Sequence, residues 1–351
     1  MNIVFRVDSS EQIGTGHVMR CVTLAQMLRQ QGAQIFFVCR SDTGHLNNWI
    51  QEQGFPLFEL TYGIFHQKND AVATVQLLEK INLNIDWLIV DHYELDAQWE
   101  KIVYDFVQHV MVIDDLANRK HVCDCLLDQN YLKDMEKRYE AFVPTNCHLM
   151  LGPSYLLLRN EFYEAKKKWP RSFREEVRRM LIFYGGSDPT NETEKVLQAI
   201  EKVGVPKRLH IDVVIGNANR KKETIKKLSK SLSASFHCQI DYLAELIAKA
   251  DVSFGAGGVT MWERCFLGLP SLVTVVAENQ KATTEAAAEA GAVVNVGWHN
   301  DVTVSHYEKE LLKVFQNRYP LQDIAKKGMA IMNSNGSPSH IHPVVRYLLG
   351  L

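Results

Sequence analysis

The sequence predicts an α/β chain made of two doubly wound parallel sheets that face a cleft. Short apolar runs ending in Gly, Asp or Ser alternate with longer segments of helical period, the pattern of βαβ units around a parallel sheet. The alternation breaks off at residues 164 to 179, "EAKKKWPRSFREEVRR", and then begins again. At 351 residues, 46% of them hydrophobic, the chain is long enough to bury two cores.

In the first half "NIVFRV" predicts the opening strand, and a glycine loop then leads into a helix from His17 to Gln31. "QIFFVCR", "WLIVDHY" and "VMVIDD" predict three more strands, and "CLLDQN" a short fifth. Each ends in a polar residue, as expected where strand C-termini open onto a crevice. The stretch at 164 to 179 contains Pro170, lacks alternation and reads as a solvated linker. A nucleic-acid patch is the alternative there, but Glu175 and Glu176 dilute its charge and aromatic residues are sparse. Beyond it the alternation runs "MLIFYGG", "SDPTNETEKVLQAIEKV", "LHIDVVIG", "KKETIKKLSKSL", "LAELIAKA", "DVSFGAGG", "VTMWERCFLG" and "PSLVTVV". The expected organisation is therefore a Rossmann-like domain over residues 1–165, a linker over 166–178, a second Rossmann-like domain over 179–335 and a C-terminal helical segment over 336–351.

Composition excludes several function classes. Lys plus Arg number 39 against 41 Asp plus Glu, so no broad positive field exists to attract nucleic acid or an anionic membrane. The opening "MNIVFRVDSSEQ" meets Arg6 and Asp8 too early for a secretory signal. No run approaches the roughly 18 apolar residues of a spanning helix, and a cytoplasmic chain is expected. The seven cysteines, an odd number set in apolar runs, read as buried thiols. In "HVCDCLLD", Cys123 and Cys125 with His121 and Asp124 form a CxC without a second cysteine pair, and neighbouring strand residues face opposite sides, which argues against a metal site. Asp91, His92, Asp114 and Asp115 also fall at strand ends, but no HxH or HExxH spacing supports a metal centre. His45, His66 and His121 are expected at the surface or in loops. The expected protein is a monomer with a small-molecule ligand, no cofactor and no metal.

Three strand-to-helix junctions carry clustered glycines: "IGTGH", with Gly14 and Gly16, "YGGSDPTN", with Ser187, and "FGAGGVT", with Gly257 and Gly258. Glycine allows a tight turn or a close backbone approach, and the helix that follows offers free N–H groups and the positive end of its dipole. Each junction reads either as an anion site or as a plain βα turn. GxGxxG fails at Met19, GxxxxGK[ST] is absent, and so is a DxD pair that would hold a metal on a diphosphate. Ser187 and Asp188 ahead of Pro189 predict a helix cap and start. Glu263 follows Gly258 by five residues, where it either receives ribose hydroxyls or favours the dipole on an exposed face.

"GAGGVTMWERCFLGLPSLVTVVAENQ" resembles the donor-binding half of GT-B glycosyltransferases, especially the enzyme that adds N-acetylglucosamine to the lipid-linked peptidoglycan precursor. "FRVDSSEQIGTGHVMRCVTLA", "LIVDHYELD", "GPSYLLLRNEF" and "GGSDPTNET" resemble the UDP-2,4-diacetamido-2,4,6-trideoxy-β-L-altropyranose hydrolases of pseudaminic acid biosynthesis, over residues 1 to about 335. The resemblance implies a GT-B-like fold and an inverting UDP-sugar hydrolase that uses water where the transferases use an acceptor hydroxyl. It implies His17 as the catalytic histidine and Tyr93 as the active-site tyrosine. It further implies Asn279 near the sugar, Glu263 on the ribose and Arg159 on the donor side. By likeness to the transferases, the backbone near Ile240 meets the uracil while Ser187, Gly257 and Gly258 line the diphosphate. That segment differs from the transferases by one residue in length between Asp251 and Glu263.

Inversion requires water at C1 opposite the departing nucleotide, and a base to take its proton. At a helix N-terminus the dipole disfavours a charged ring, which keeps an imidazole able to accept. Gly14 and Gly16 leave room beside the ring. UDP departs as a stabilised anion, so backbone N–H groups and Arg159 suffice on the leaving side, unlike the two carboxylates of ordinary glycosidases. A glycosyltransferase on the same scaffold and a non-catalytic nucleotide-sugar binder are the alternatives.

Overall fold

A computed structural model describes residues 1–61, 63–332 and 341–351. The chain divides into two compact units, Met1–Leu158 with Asn335–Leu351, and Arg159–Ser334.

The first unit runs β1 (Asn2–Val7), α1 (Gly16–Gln30), β2 (Gln34–Arg40), α2 (Asn47–Glu52), β3 (Leu57–Leu60), α3 (Gln67–Ile81), β4 (Trp87–Asp91), α4 (Ala97–Tyr104), β5 (His109–Ile113), β6 (Cys125–Asp128) and β7 (His148–Leu151). All strands are parallel, in the order β3-β2-β1-β4-β5-β6-β7. Such a sheet is covered on both faces, and its strands are accordingly apolar throughout rather than alternating. One core packs α1 against the sheet through Val18, Cys21, Val22, Ala25 and Leu28. The other packs α3 and α4 through Ala71, Leu78, Trp99 and Val103.

The second unit runs α5 (Asn160–Lys168), β8 (Arg179–Phe183), α6 (Glu192–Val203), β9 (His210–Ile215), α7 (Lys222–Ser231), β10 (Ser235–Cys238), α8 (Leu243–Lys249), β11 (Val252–Ala256), α9 (Val259–Phe266), β12 (Ser271–Val275), α10 (Lys281–Glu289), β13 (Val294–Trp298), α11 (Val304–Phe315) and α12 (Leu321–Ile331). Its parallel sheet is ordered β10-β9-β8-β11-β12-β13, which repeats the strand order of the first unit. The last helix, α13 (Pro343–Leu349), belongs to the first unit, where Trp87 Nε1 donates to Leu348 O at 3.0 Å.

Several expectations change. β3, β7 and β10 were not expected: each has only four residues, too few to show a period. The 164 to 179 stretch is not simply a solvated linker. Its start lies in α5, which packs against α8 in the second unit, so the units divide at Leu158 rather than at 165. Arg171 then donates to the carbonyls of Ile247, Ala250 and Leu267, closing the C-terminal ends of α8 and α9. α6 opens at Glu192, not at Pro189; Asp188 still caps it, accepting from the Glu192 and Thr193 N–H groups at 3.0 and 2.9 Å. His121 lies in a loop, as expected, but is buried there, with Nδ1 2.6 Å from Glu100 Oε1.

Candidate active site

In the first sheet the strand order reverses direction between β1 and β4, and the crevice at such a switch point is where open α/β sheets receive ligands. Two loops leave the sheet there. After β1, Ser10 shapes the turn: its Oγ accepts from the N–H groups of Gln12 and Ile13, and its carbonyl accepts from Gly14 N at 2.8 Å. Gly14 has φ +81°, a conformation that favours glycine, and a Cβ at Gly14 or Gly16 would touch nothing within 4 Å. Gly16 opens α1, whose N-cap Thr15 makes no side-chain cap, so His17 stands as the second residue of a helix with free N–H groups.

After β4 come His92 and Tyr93. The His92 ring accepts from Glu94 N at 3.1 Å and reaches Asp8 Oδ2 at 3.2 Å. Asp8, the residue after β1, also takes both Nη groups of Arg6 at 2.6 and 2.8 Å and the Arg40 N–H at 2.8 Å. Burial alone would raise the Asp8 carboxyl, but Arg6 and then His92 hold it well below the usual carboxylate range. One buried carboxylate thereby ties the start of the glycine loop to the loop that carries Tyr93.

On this frame His17, 7% exposed, places Nδ1 2.5 Å from Asp91 Oδ1, at the end of β4. Arg20, three residues on and on the same helix face, grips Asp91 with Nε at 2.5 Å and Nη2 at 2.7 Å and reaches Asp115 Oδ2 with Nη1 at 3.2 Å. Burial would raise the Asp91 carboxyl, but Arg20 and then His17 hold it well below the usual range. The Tyr93 ring meets His17 edge-on, centroids 4.5 Å apart at 84°. Burial and then Asp115 push the Tyr93 phenol up, so it remains a proton-bearing donor at neutral pH.

The second unit has its own switch point between β8 and β11. Gly185, Gly186 and the exposed Ser187 follow β8, while Gly257 and Gly258 follow β11, and these two strands are paired. Gly258, with φ +79°, is the N-cap of α9. A Cβ on Gly257 would lie 2.7 Å from Thr284 Oγ1, a buried hydroxyl without a hydrogen-bond partner among the described residues. Glu263 is 6% exposed, so the exposed-face reading of this residue fails. Burial pushes its carboxyl up to about 7, against the pull of Arg159, whose Nη2 lies 3.7 Å from Glu263 Oε1. Glu263 Oε2 is buried with no hydrogen-bond partner among the described residues, an acceptor left open. Asn279 is exposed in the turn after β12, next to Gln280, which packs on Gly257 and accepts from Val276 N at 3.1 Å. Ile240 is half-buried in the turn after β10, two strands from β8.

No protein-family model matches the chain. A UDP-2,4-diacetamido-2,4,6-trideoxy-β-L-altropyranose hydrolase of Campylobacter jejuni is 30% identical over 232 residues, covering 66% of this chain and 75% of that protein. The chain belongs to this hydrolase family. The spore coat polysaccharide biosynthesis protein SpsG of Bacillus subtilis is 25% identical over 96% of the chain and 95% of its own length. The uncharacterized protein MJ1062 of Methanocaldococcus jannaschii is 29% identical over 288 residues, and the chain spans only 57% of it. Among solved structures, MurG of Acinetobacter baumannii aligns over 100% of the chain with a TM-score of 0.66 at 13% identity. A UDP-GlcNAc 2-epimerase of Neisseria meningitidis aligns with a TM-score of 0.59, also at 13% identity. These likenesses establish a GT-B-like fold.

Within this hydrolase family member, His17 and Tyr93 come together, as do Arg159 and Glu263. Sequence reasoning missed Asp91 and Arg20 as partners of His17, and Thr284 and Gln280 beside Gly257. It also missed Arg264, which is buried and donates to Ala256 O at 2.6 Å, fixing the turn that leads into α9. Asp114 takes Arg119 Nη1 at 2.6 Å and the N–H groups of Leu116 and Ala117 at 3.2 and 2.8 Å.

Proposed function

We propose that this chain hydrolyses a UDP-linked 2,4-diacetamido-2,4,6-trideoxy sugar with inversion at C1, releasing UDP and the free sugar for pseudaminic acid biosynthesis. Water oxygen bonds to C1, the bond from C1 to the diphosphate oxygen breaks, and the proton of water passes to His17. The observation that carries this reading is the buried His17–Asp91 pair, set in the first turn of α1 against Tyr93. A group meant only to contact phosphate would not need an anionic partner on its ring. Tyr93, kept protonated, donates to the water or to an acetamido oxygen, and Gly14 and Gly16 keep space open beside the ring.

The second unit supplies residues for the nucleotide. Glu263, with one open carboxylate oxygen, receives the ribose hydroxyls, and Arg159 stands beside it. Ser187, Gly257 and Gly258 present backbone N–H groups to the diphosphate, the Ile240 backbone meets the uracil and Asn279 contacts the sugar. Because UDP leaves as a delocalised anion, donors placed around it supply the stabilisation that a metal or a strong acid supplies elsewhere, and the reaction proceeds without added metal.

The GT-B-like fold, shared with transferases such as MurG, supports a second reading as a glycosyltransferase. Incubating the protein with the UDP-sugar and no acceptor separates the two. Stoichiometric UDP release supports hydrolysis, release only after an acceptor is added supports transfer, and an intact substrate with a ligand-raised Tm marks a binder.

A further inference from the structure

We propose that Arg20 is a positioning residue that sets both reactive side chains of the first unit with one guanidinium, fixing the proton on the His17 ring through Asp91 and holding Asp115 beside Tyr93.

Arg20 and His17 project from one face of α1 toward the C-terminal ends of β4 and β5, where Asp91 and Asp115 wait. All three guanidinium nitrogens contact carboxylates: Nε and Nη2 fork onto Asp91, and Nη1 takes Asp115. The planar fork is what allows this; an ammonium is a point charge and cannot grip one carboxylate at two oxygens while reaching a second.

The consequence for His17 follows from counting protons. Asp91 is fully buried, and among the described residues the side chains bonded to its oxygens besides Arg20 are His17 and the Cys21 thiol, 3.5 Å from Oδ2. Held ionised by Arg20, Asp91 accepts and cannot donate. The proton between Asp91 Oδ1 and His17 Nδ1 therefore sits on Nδ1, and Nε2 of the neutral ring keeps its lone pair. The approach of Arg20 Nη2 to Nδ1 at 3.2 Å is then a contact between two donors that share Oδ1, not a hydrogen bond.

Without Arg20 the carboxyl has two ways to escape burial as a lone anion, and both spoil the base. It takes up a proton and donates it to Nδ1, which moves the ring proton to Nε2, or it holds His17 as an imidazolium, which also protonates Nε2. Asp115 has one oxygen on Arg20 and the other buried without a conventional hydrogen bond among the described residues, so loss of Arg20 frees it from its fixed place beside Tyr93.

The test is nitrogen NMR of 15N-histidine protein at pH 8, with the His17 signals assigned by a His17→Gln difference spectrum, run beside steady-state kinetics. Wild type is expected to show Nδ1 protonated and Nε2 bare. Arg20→Met is expected to show Nε2 protonated, with kcat down about 10²-fold or more, the scale of a lost general base. KM and UDP affinity should stay within about threefold. Arg20→Lys should retain the bare Nε2 and recover part of kcat, because it restores charge without the fork. Should Arg20→Met fail to fold, Arg20→Lys still decides: full wild-type kcat would show that the fork is not needed and overturn the proposal. A bare Nε2 in a folded Arg20→Met protein would overturn it as well. The inference rests on the proposed role of His17 only through turnover; the NMR readout stands without it. A proton shift without any UDP-sugar hydrolysis in wild type would therefore sink the proposed function and leave the positioning role intact.

Discussion

His17 is useful as a base only where one ring nitrogen stays unprotonated and the ring cannot turn, and its contacts with Asp91 and Tyr93 supply the second condition. Replacing it by Ala should lower turnover by about 10²- to 10⁴-fold while UDP still binds, as measured by steady-state kinetics and calorimetry. Glu263 makes a separate prediction. Its carboxyl is pushed up to about 7 by burial, and ribose hydroxyls donating to it would favour the ionised form. UDP affinity should therefore rise between pH 6 and 8 and level off above. Glu263→Gln should weaken binding about tenfold or more, on the scale of ~1.5–3 kcal/mol for hydrogen bonds to a charged acceptor. It should also remove the part of the pH dependence that the phosphate's own titration does not explain. An unchanged affinity and slope in the variant would take Glu263 off the nucleotide. Glycine punctuation in the sequence singles out His17 and Glu263 as residues at strand-to-helix junctions, and the roles proposed for them come from the family resemblance. Asp91 and Arg20 were not read as partners of His17, since 74 residues separate His17 from Asp91 and only the pairing of β1 with β4 brings them together.

At the scale of elements, the turn between β11 and α9 has almost no spare volume. A methyl on Gly257 would press on Thr284 and Gln280, so Gly257→Ala should displace the turn and weaken UDP binding, leaving the His17 signals untouched. Wild-type affinity in that variant would show that the turn does not approach the diphosphate. The C-terminal α13 offers a stability test. His342 caps it, with Nδ1 accepting from Val344 N at 3.3 Å and Nε2 3.2 Å from Leu156 O. Burial pushes the ring down to about 4 from its ordinary 6.5, so the docked form binds fewer protons than the unfolded chain between those values. Its contribution is complete above about pH 6.5 and is lost as pH falls toward 4, on the order of 3 kcal/mol in all. Hydrogen exchange in α13, corrected for intrinsic rates, should quicken between pH 7 and 5, and His342→Gln should flatten that slope; equal slopes would show that another group controls docking. The helix itself was readable from "HPVVRYLL", with Pro at its first position. Its return to the first unit was not, because Trp87 and Leu156, which hold it, lie far back in the chain.

At the scale of the molecule, two units repeat one strand order, and each brings its glycine junctions to a switch point. That repetition was visible as alternation starting afresh after residue 179, since buried parallel strands write themselves as unbroken apolar runs. The division at Leu158 was hidden: α5 is charged and short, and what assigns it to the second unit is packing against α8, some 80 residues on. β3, β7 and β10 were hidden for a related reason, because hydrogen bonds to neighbours define these four-residue strands more than composition does. The most direct measurement of the chemistry is proton NMR of the first sugar formed from the diacetamido-trideoxy altropyranose UDP donor, with no acceptor present. Water activated by His17 should yield one UDP per sugar and, before mutarotation, the anomer inverted from the donor. A retained anomer, or no free sugar until an acceptor hydroxyl is supplied, would contradict it.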